Sequence, residues 1–167
     1  MDGFHLVLVG LMGVGKTTVG AVLAQRLGRE LVDSDLRIEA RTGRTVRQIL
    51  DEDGLEEMRR QEAAALFDAL DDEAPRVIAA AAGVVLDPGN RRRLADADAD
   101  VIWLTADPGL LAPRTATRGH RPWLEDDPVG TLRRMQDERE PLYREVADRT
   151  VAVDGLTPEQ IVDRILA

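Results

Sequence analysis

The run Gly10-Leu11-Met12-Gly13-Val14-Gly15-Lys16-Thr17-Thr18 constrains this chain more than any other stretch. It satisfies G-x-x-x-x-G-K-[ST] without a mismatch, and its flanks supply the context that this pattern needs. His5-Leu6-Val7-Leu8-Val9 reads as a short buried strand, and Val19, Val22, Leu23 and Leu27 recur at helical spacing. Strand, glycine loop and helix form a unit that seeds a parallel sheet. Glycines let the backbone wrap around phosphate oxygens, while the helix start offers free N–H groups and the positive end of a dipole. The expected phosphate-binding residues are Gly13, Val14, Gly15, Lys16, Thr17 and Thr18. Lys16 would reach the outer phosphates, and the Thr17 hydroxyl would ligate Mg²⁺ directly. Lys16 is the only lysine among 167 residues, in a chain that otherwise uses arginine throughout. A compact ammonium suits a phosphate cradle.

Composition narrows the classes. A length of 167 residues predicts one domain, 1–167, with enough chain for a real core. Hydrophobic content of 44% with 32% charged residues predicts a folded soluble protein. The net charge of −9 argues against a nucleic-acid partner. Arg91-Arg92-Arg93 and Arg133-Arg134 lack interleaved aromatics and read as solvated helix faces. Without cysteine, thiolate metal sites and thiol nucleophiles drop out. The first residues carry neither a basic leader nor an apolar run of membrane-spanning length, so a cytoplasmic location with no membrane partner is expected; a monomer is the expected state.

Taken in order, Gly28 stops the first helix, and Glu30-Leu31-Val32 forms a second strand ending in Asp33-Ser34-Asp35. Asp35 is expected to cap a helix that Gly43 ends. Another short helix covers Val46 to Leu50, and a long one covers Leu55 to Leu70. The run from Val77 to Val85 reads as a third strand entering a tight loop, because Pro75, Gly83 and Pro88 bracket its alanines. Pro88 starts a helix, Val101 to Leu104 is a fourth strand, and Pro108 opens a helix that Pro113 ends or bends. Arg114 to Asp127 has no apolar period and reads as a mobile loop. A helix follows from Pro128 to Ala147, interrupted at Pro141. Val151-Ala152-Val153 is a fifth strand, and Thr157-Pro158-Glu159-Gln160 opens the last helix with a capping box. Alternating strands and helices predict a three-layer α/β/α fold, its five-stranded parallel sheet covered on both faces. The loop at Gly10–Thr17 and the acids Asp33 and Asp35 then share the carboxyl ends of the strands, where such sheets bind ligands.

Within nucleotide-binding classes, G-x-G-x-x-G fails from either Gly10 or Gly13, and Asn-Lys-x-Asp is impossible with one lysine. The chain is short for a motor ATPase. A small phosphotransferase with a substrate pocket and a lid remains.

Several further pieces carry a resemblance. Val32-Asp33-Ser34-Asp35, Ile38-Glu39, Thr42-Gly43, Glu57-Met58-Arg59-Arg60-Gln61-Glu62, Arg121-Pro122-Trp123-Leu124 and Arg139-Glu140-Pro141-Leu142-Tyr143 follow the glycine loop in order. With them the chain resembles the shikimate kinase family over essentially its whole length. That resemblance implies a P-loop kinase fold, with a substrate-binding region about 33–62 and a lid about 114–127. It implies ATP as donor, Mg²⁺ as cofactor and the 3-hydroxyl of shikimate as acceptor. Lys16, Asp35 and Arg121 would be catalytic, Asp35 holding the acceptor hydroxyl and Arg121 closing from the lid. Arg59 and Arg139 match the carboxylate-binding arginines, and Asp33 the acid that meets Mg²⁺ through water. Arg114 and Pro158 stand where the family sandwiches adenine. Each has a plainer role open to it. Asp33 and Asp35 can cap a helix, and Arg59 stands three residues before Glu62, the spacing of a helical ion pair.

The chain departs from the family at the acceptor. Ala81-Ala82-Gly83 replaces three consecutive glycines, and Leu50 and Met58 stand where aromatics are usual. Two added methyls, and the cost of a positive φ at alanine, put the acceptor in question. A related cyclic polyol or sugar acid is therefore open as acceptor, as is a nucleotide-binding regulator without turnover. Lys16, Thr17, Asp35 and Arg121 speak against the last.

Overall fold

The computed structural model describes residues 3–116 and 126–167. Five strands form one sheet: β1 (His5–Val9), β2 (Leu31–Asp33), β3 (Val77–Ala79), β4 (Ala99–Thr105) and β5 (Arg149–Ala152). Their order is β2-β3-β1-β4-β5, and every neighbouring pair is parallel. All five residues of central β1 are buried, which is why it reads as a continuous apolar run and not as an alternation. The helices are α1 (Lys16–Leu27), α2 (Ser34–Thr42), α3 (Val46–Asp53), α4 (Leu55–Leu70), α5 (Pro88–Ala95), α6 (Pro108–Ala116), α7 (Pro128–Val146) and α8 (Pro158–Leu166).

The main core gathers Leu6, Leu8, Leu23, Leu66, Ile78, Ile102, Leu104, Leu111 and Tyr143 about the sheet. A second cluster of Ile38, Ile49, Met58 and Ala65 joins α2, α3 and α4 into a sub-layer beside it. That sub-layer has its own apolar stripe, so α2 to α4 can vary their outward-facing side chains without disturbing the sheet.

Four details differ from the sequence expectations. Asp33, not Asp35, is the N-cap of α2, accepting from the Leu36 N–H at 3.1 Å, and Asp35 lies in the first turn. Strand β3 stops at Ala79, because its partners turn away there: Asp33 starts a helix and β1 ends at the glycine loop. A short 3-10 turn at Val84–Leu86 follows. Pro141 lies inside a continuous helix, and Pro113 does not end α6. Pro141 forfeits one helical hydrogen bond, but Leu132, Arg139, Tyr143 and Val146 bury α7 on both sides of it, and that packing outweighs the loss. Arg114 belongs to α6, and residues 117–125 of the expected lid at 114–127, with His120, Arg121 and Trp123, lie outside the described residues.

The capping box at Thr157 and Gln160 forms as read. Trp103 is buried in the core, and Arg91 and Arg93 are not simple solvated charges. Arg91 donates to the Val85 carbonyl at 2.8 Å, and Arg93 pairs with Asp71 and lies 5.9 Å over the Phe67 ring. Among the described residues, no helix is long and apolar enough to cross a membrane.

Candidate active site

A cleft of about 750 Å³ opens at the carboxyl ends of the strands. Its walls bring together Gly13, Gly15, Lys16 and Thr17 from the glycine loop, Asp33 and Asp35, Arg59 from α4, Ala81-Ala82-Gly83 and Arg139 from α7. Val14, Thr18, Arg114 and Pro158 are outside that lining. Val14 is buried in the core beneath the loop. Arg114 stands next to the loop: a Cβ on Gly13 would come 2.9 Å from Thr115 Cγ2 and 3.6 Å from Arg114 Cβ. Pro158 is the first residue of α8, which packs on α1.

The donor side is built from backbone. Gly10 adopts φ 146°, and a Cβ there would fall 2.4 Å from the Leu104 carbonyl oxygen, so only glycine lets the loop leave β1 so close to β4. Helix α1 starts at Lys16 with Gly15 at its N-cap, a residue with no side chain to accept from the first N–H groups. An uncapped helix start of this kind is an anion site by construction. Lys16 Nζ donates to the carbonyls of Gly10 at 2.7 Å and Leu11 at 3.0 Å, which holds the ammonium over the loop.

Asp33 ties this side to α2. One carboxylate oxygen caps α2, and the other accepts from Thr17 Oγ1 at 2.5 Å. The plain expectation for Asp33, a helix cap, holds, and its second carboxylate oxygen stands against Thr17. A hydroxyl and a carboxylate oxygen in contact are hard ligands of the kind Mg²⁺ takes while keeping most of its waters. The pair fits that ion. Among the described residues no group of three or more His, Asp or Glu forms a denser cage.

The acceptor side is built from side chains. Arg59 donates to Glu62 at 2.8 Å, so the helical ion pair forms, yet the same guanidinium lines the cleft. Glu62 is buried, and desolvation raises its pKa above the usual carboxylate range although Arg59 opposes the shift. Arg139 is 4% exposed, and its Nε and Nη1 are buried without a hydrogen-bond partner. A buried guanidinium with two idle donors is costly unless an anion completes it. A planar fork beside a second arginine suits a carboxylate.

Tyr143 was missed as a site residue. Its hydroxyl donates to the Ala82 carbonyl at 2.6 Å, fastening the loop after β3 to the helix that carries Arg139. Its ring stacks on Trp103 at 5.7 Å between centroids. Burial raises the phenol to about 12, with neighbouring Arg139 opposing. Nothing in the local pattern signals that bond, because it links positions 61 residues apart. Arg47, also unremarked in the sequence, lines the cleft from α3 and pairs with Asp51 at 2.7 Å.

The alanines in the loop are conformationally at ease. Among the described residues no residue other than glycine has positive φ, so Ala81 and Ala82 carry no left-handed strain. The expected backbone cost of losing two glycines is absent.

Comparison with known proteins agrees with this geometry. A family model for shikimate kinase matches residues 12–167. The shikimate kinase of Dechloromonas aromatica is 44% identical over 163 residues, spanning 97% of this chain and 88% of that protein. That of Symbiobacterium thermophilum is 41% identical, spanning 97% and 94% respectively. The structure of shikimate kinase from Acinetobacter baumannii in complex with shikimate superposes with a TM-score of 0.91 at 36% identity, covering 98% of this chain and 90% of that one. By fold, by site and by sequence over nearly its full length, the chain belongs to the shikimate kinase family.

Proposed function

We propose that this chain is a single kinase domain that transfers the terminal phosphoryl group of ATP to the 3-hydroxyl of shikimate, giving shikimate 3-phosphate and ADP. The observation that carries the reading is the cleft itself: an uncapped helix start with the only lysine on one side, and a buried, half-satisfied Arg139 beside Arg59 on the other. One side fits a polyphosphate and the other a carboxylate.

Residue roles follow from position and charge. The N–H groups around Gly13, Gly15 and Lys16 hold the donor phosphates, and the Lys16 ammonium offsets charge on the group in transfer. Asp35 faces the same space and orients the attacking hydroxyl, accepting its proton as the bond forms. Arg59 and Arg139 grip the acceptor carboxylate, which fixes the ring with its hydroxyl toward the donor. Thr17 and Asp33 are the residues that would hold Mg²⁺, Thr17 directly and Asp33 through water. When bound, the ion would offset the negative charge of the phosphates. Arg121 adds a closing cation from the lid, and Arg114 and Pro158 flank the adenine. The net charge of −9 argues against nucleic acid as a partner, and the protein acts as a cytoplasmic monomer without a membrane partner.

The test is product identification. With ATP, Mg²⁺ and shikimate, phosphorus NMR should show one phosphate ester at O3 and equimolar ADP. Quinate and gluconate, run in parallel, should turn over far more slowly. Turnover with one of those acids and none with shikimate would reassign the acceptor. ATP binding without turnover on any acceptor would make the chain a nucleotide-binding regulator.

A further inference from the structure

We propose that Gly83 is a positioning residue for acceptor binding: its bare Cα is the seat on which the Arg59 guanidinium lies. The inference rests on the reading that the acceptor is an anion gripped by Arg59.

A Cβ built on Gly83 would stand 1.7 Å from Arg59 Nη1, 2.3 Å from Cζ and 2.8 Å from Nη2. The whole fork therefore lies against this one backbone position. Gly83 has φ −89° and ψ 0°, which other residues also adopt, so what requires glycine here is space and not backbone freedom. Its two predecessors make the contrast. Ala81 and Ala82 carry methyls in the same loop at ordinary φ.

Arg59 Nη1 also donates to Glu62 at 2.8 Å. The guanidinium is thus confined between a buried carboxylate and the Gly83 backbone. A methyl at 83 would displace Nη1, loosen its pair with Glu62 and turn the fork away from the cleft. Because the obstructed atoms are the far end of a long side chain, Arg59 gives way and the fold survives. The damage falls on acceptor binding.

Steady-state kinetics on the full chain with Gly83→Ala, Arg59→Ala and the double variant test this. Gly83→Ala should raise the KM for shikimate about tenfold and leave the KM for ATP within about twofold. The double variant should match Arg59→Ala within about twofold, since the methyl has nothing left to displace. An unchanged KM in Gly83→Ala, or an equal further loss in the Arg59→Ala background, would overturn the proposal. A second readout does not depend on the acceptor. Carbon-13 titration of the Glu62 carboxyl should give a higher pKa in Gly83→Ala and in Arg59→Ala alike, because the first loosens and the second removes the cation that most opposes its desolvation. A Glu62 titration unmoved by Gly83→Ala would contradict the inference. That arm stays readable if the parent chain fails to turn over shikimate, a result that counts against the acceptor reading alone.

Discussion

The two sides of one cleft are built on different principles. The donor side is contiguous in sequence and made of backbone: Gly10 to Thr17 hold their shape through glycine geometry and an uncapped helix start. The proposed acceptor side is assembled from α2, α4, the loop after β3 and α7, with Arg59 and Arg139 in its wall. Backbone cradles are robust to the residues around them. Side-chain grips depend on their supports, here Glu62 for Arg59 and the Tyr143–Ala82 bond for the loop. The difference teaches that the donor chemistry should fail at a few residues, and the acceptor chemistry by degrees at many.

The largest break should come from Lys16→Ala. Removing the cation nearest the donor phosphates should lower kcat about a thousandfold, with shikimate affinity by calorimetry unchanged. A near-normal rate would mean that the cradle works through backbone donors alone.

A smaller effect is expected at Tyr143, the only tyrosine in the chain, so absorbance near 295 nm reads it cleanly. The native phenol should titrate near 12, against about 10 when unfolded. Its folded pKa is raised, so the stability it contributes is complete below the unfolded value and is lost as pH rises from about 10 to about 12. Tyr143→Phe should abolish that loss and raise the KM for shikimate about fivefold, in line with one hydrogen bond of about 1 kcal/mol that orders the loop. An equal rise in the KM for ATP would erase the distinction between the two sides.

The smallest effect should follow from glycine at Ala81 and Ala82. Neither residue has positive φ, so restoring the family pattern relieves no strain. The relative rates on shikimate and quinate should stay within about twofold, while the double variant melts a few degrees lower because two glycines loosen the unfolded chain. A large change in acceptor preference would show that the methyls shape the pocket.

How far this was legible in the sequence follows the same division. The glycine loop, the parallel sheet and the Thr157 capping box are local patterns, and each forms where it reads. Asp33 and Asp35 were correctly brought to the cleft, but their pattern does not say which one caps α2, since either stands before a helical run. Pro141 reads as a break because propensity is local, whereas the burial that carries α7 through it is tertiary. The end of β3 depends on where its two neighbours turn, which Val77 to Val85 does not encode. Arg59 and Arg139 were found through family resemblance and not through spacing. The Gly83 seat and the Tyr143 fastening left no pattern, because each is a contact between distant segments.

The central claim is that paired arginines make the acceptor side selective for a carboxylate, and the most direct measurement compares shikimate with its uncharged methyl ester. Under the same ATP and Mg²⁺, kcat/KM should fall about a hundredfold or more for the ester in the parent chain, and by only a few-fold in Arg139→Ala. Equal kcat/KM for acid and ester in the parent chain would contradict the account.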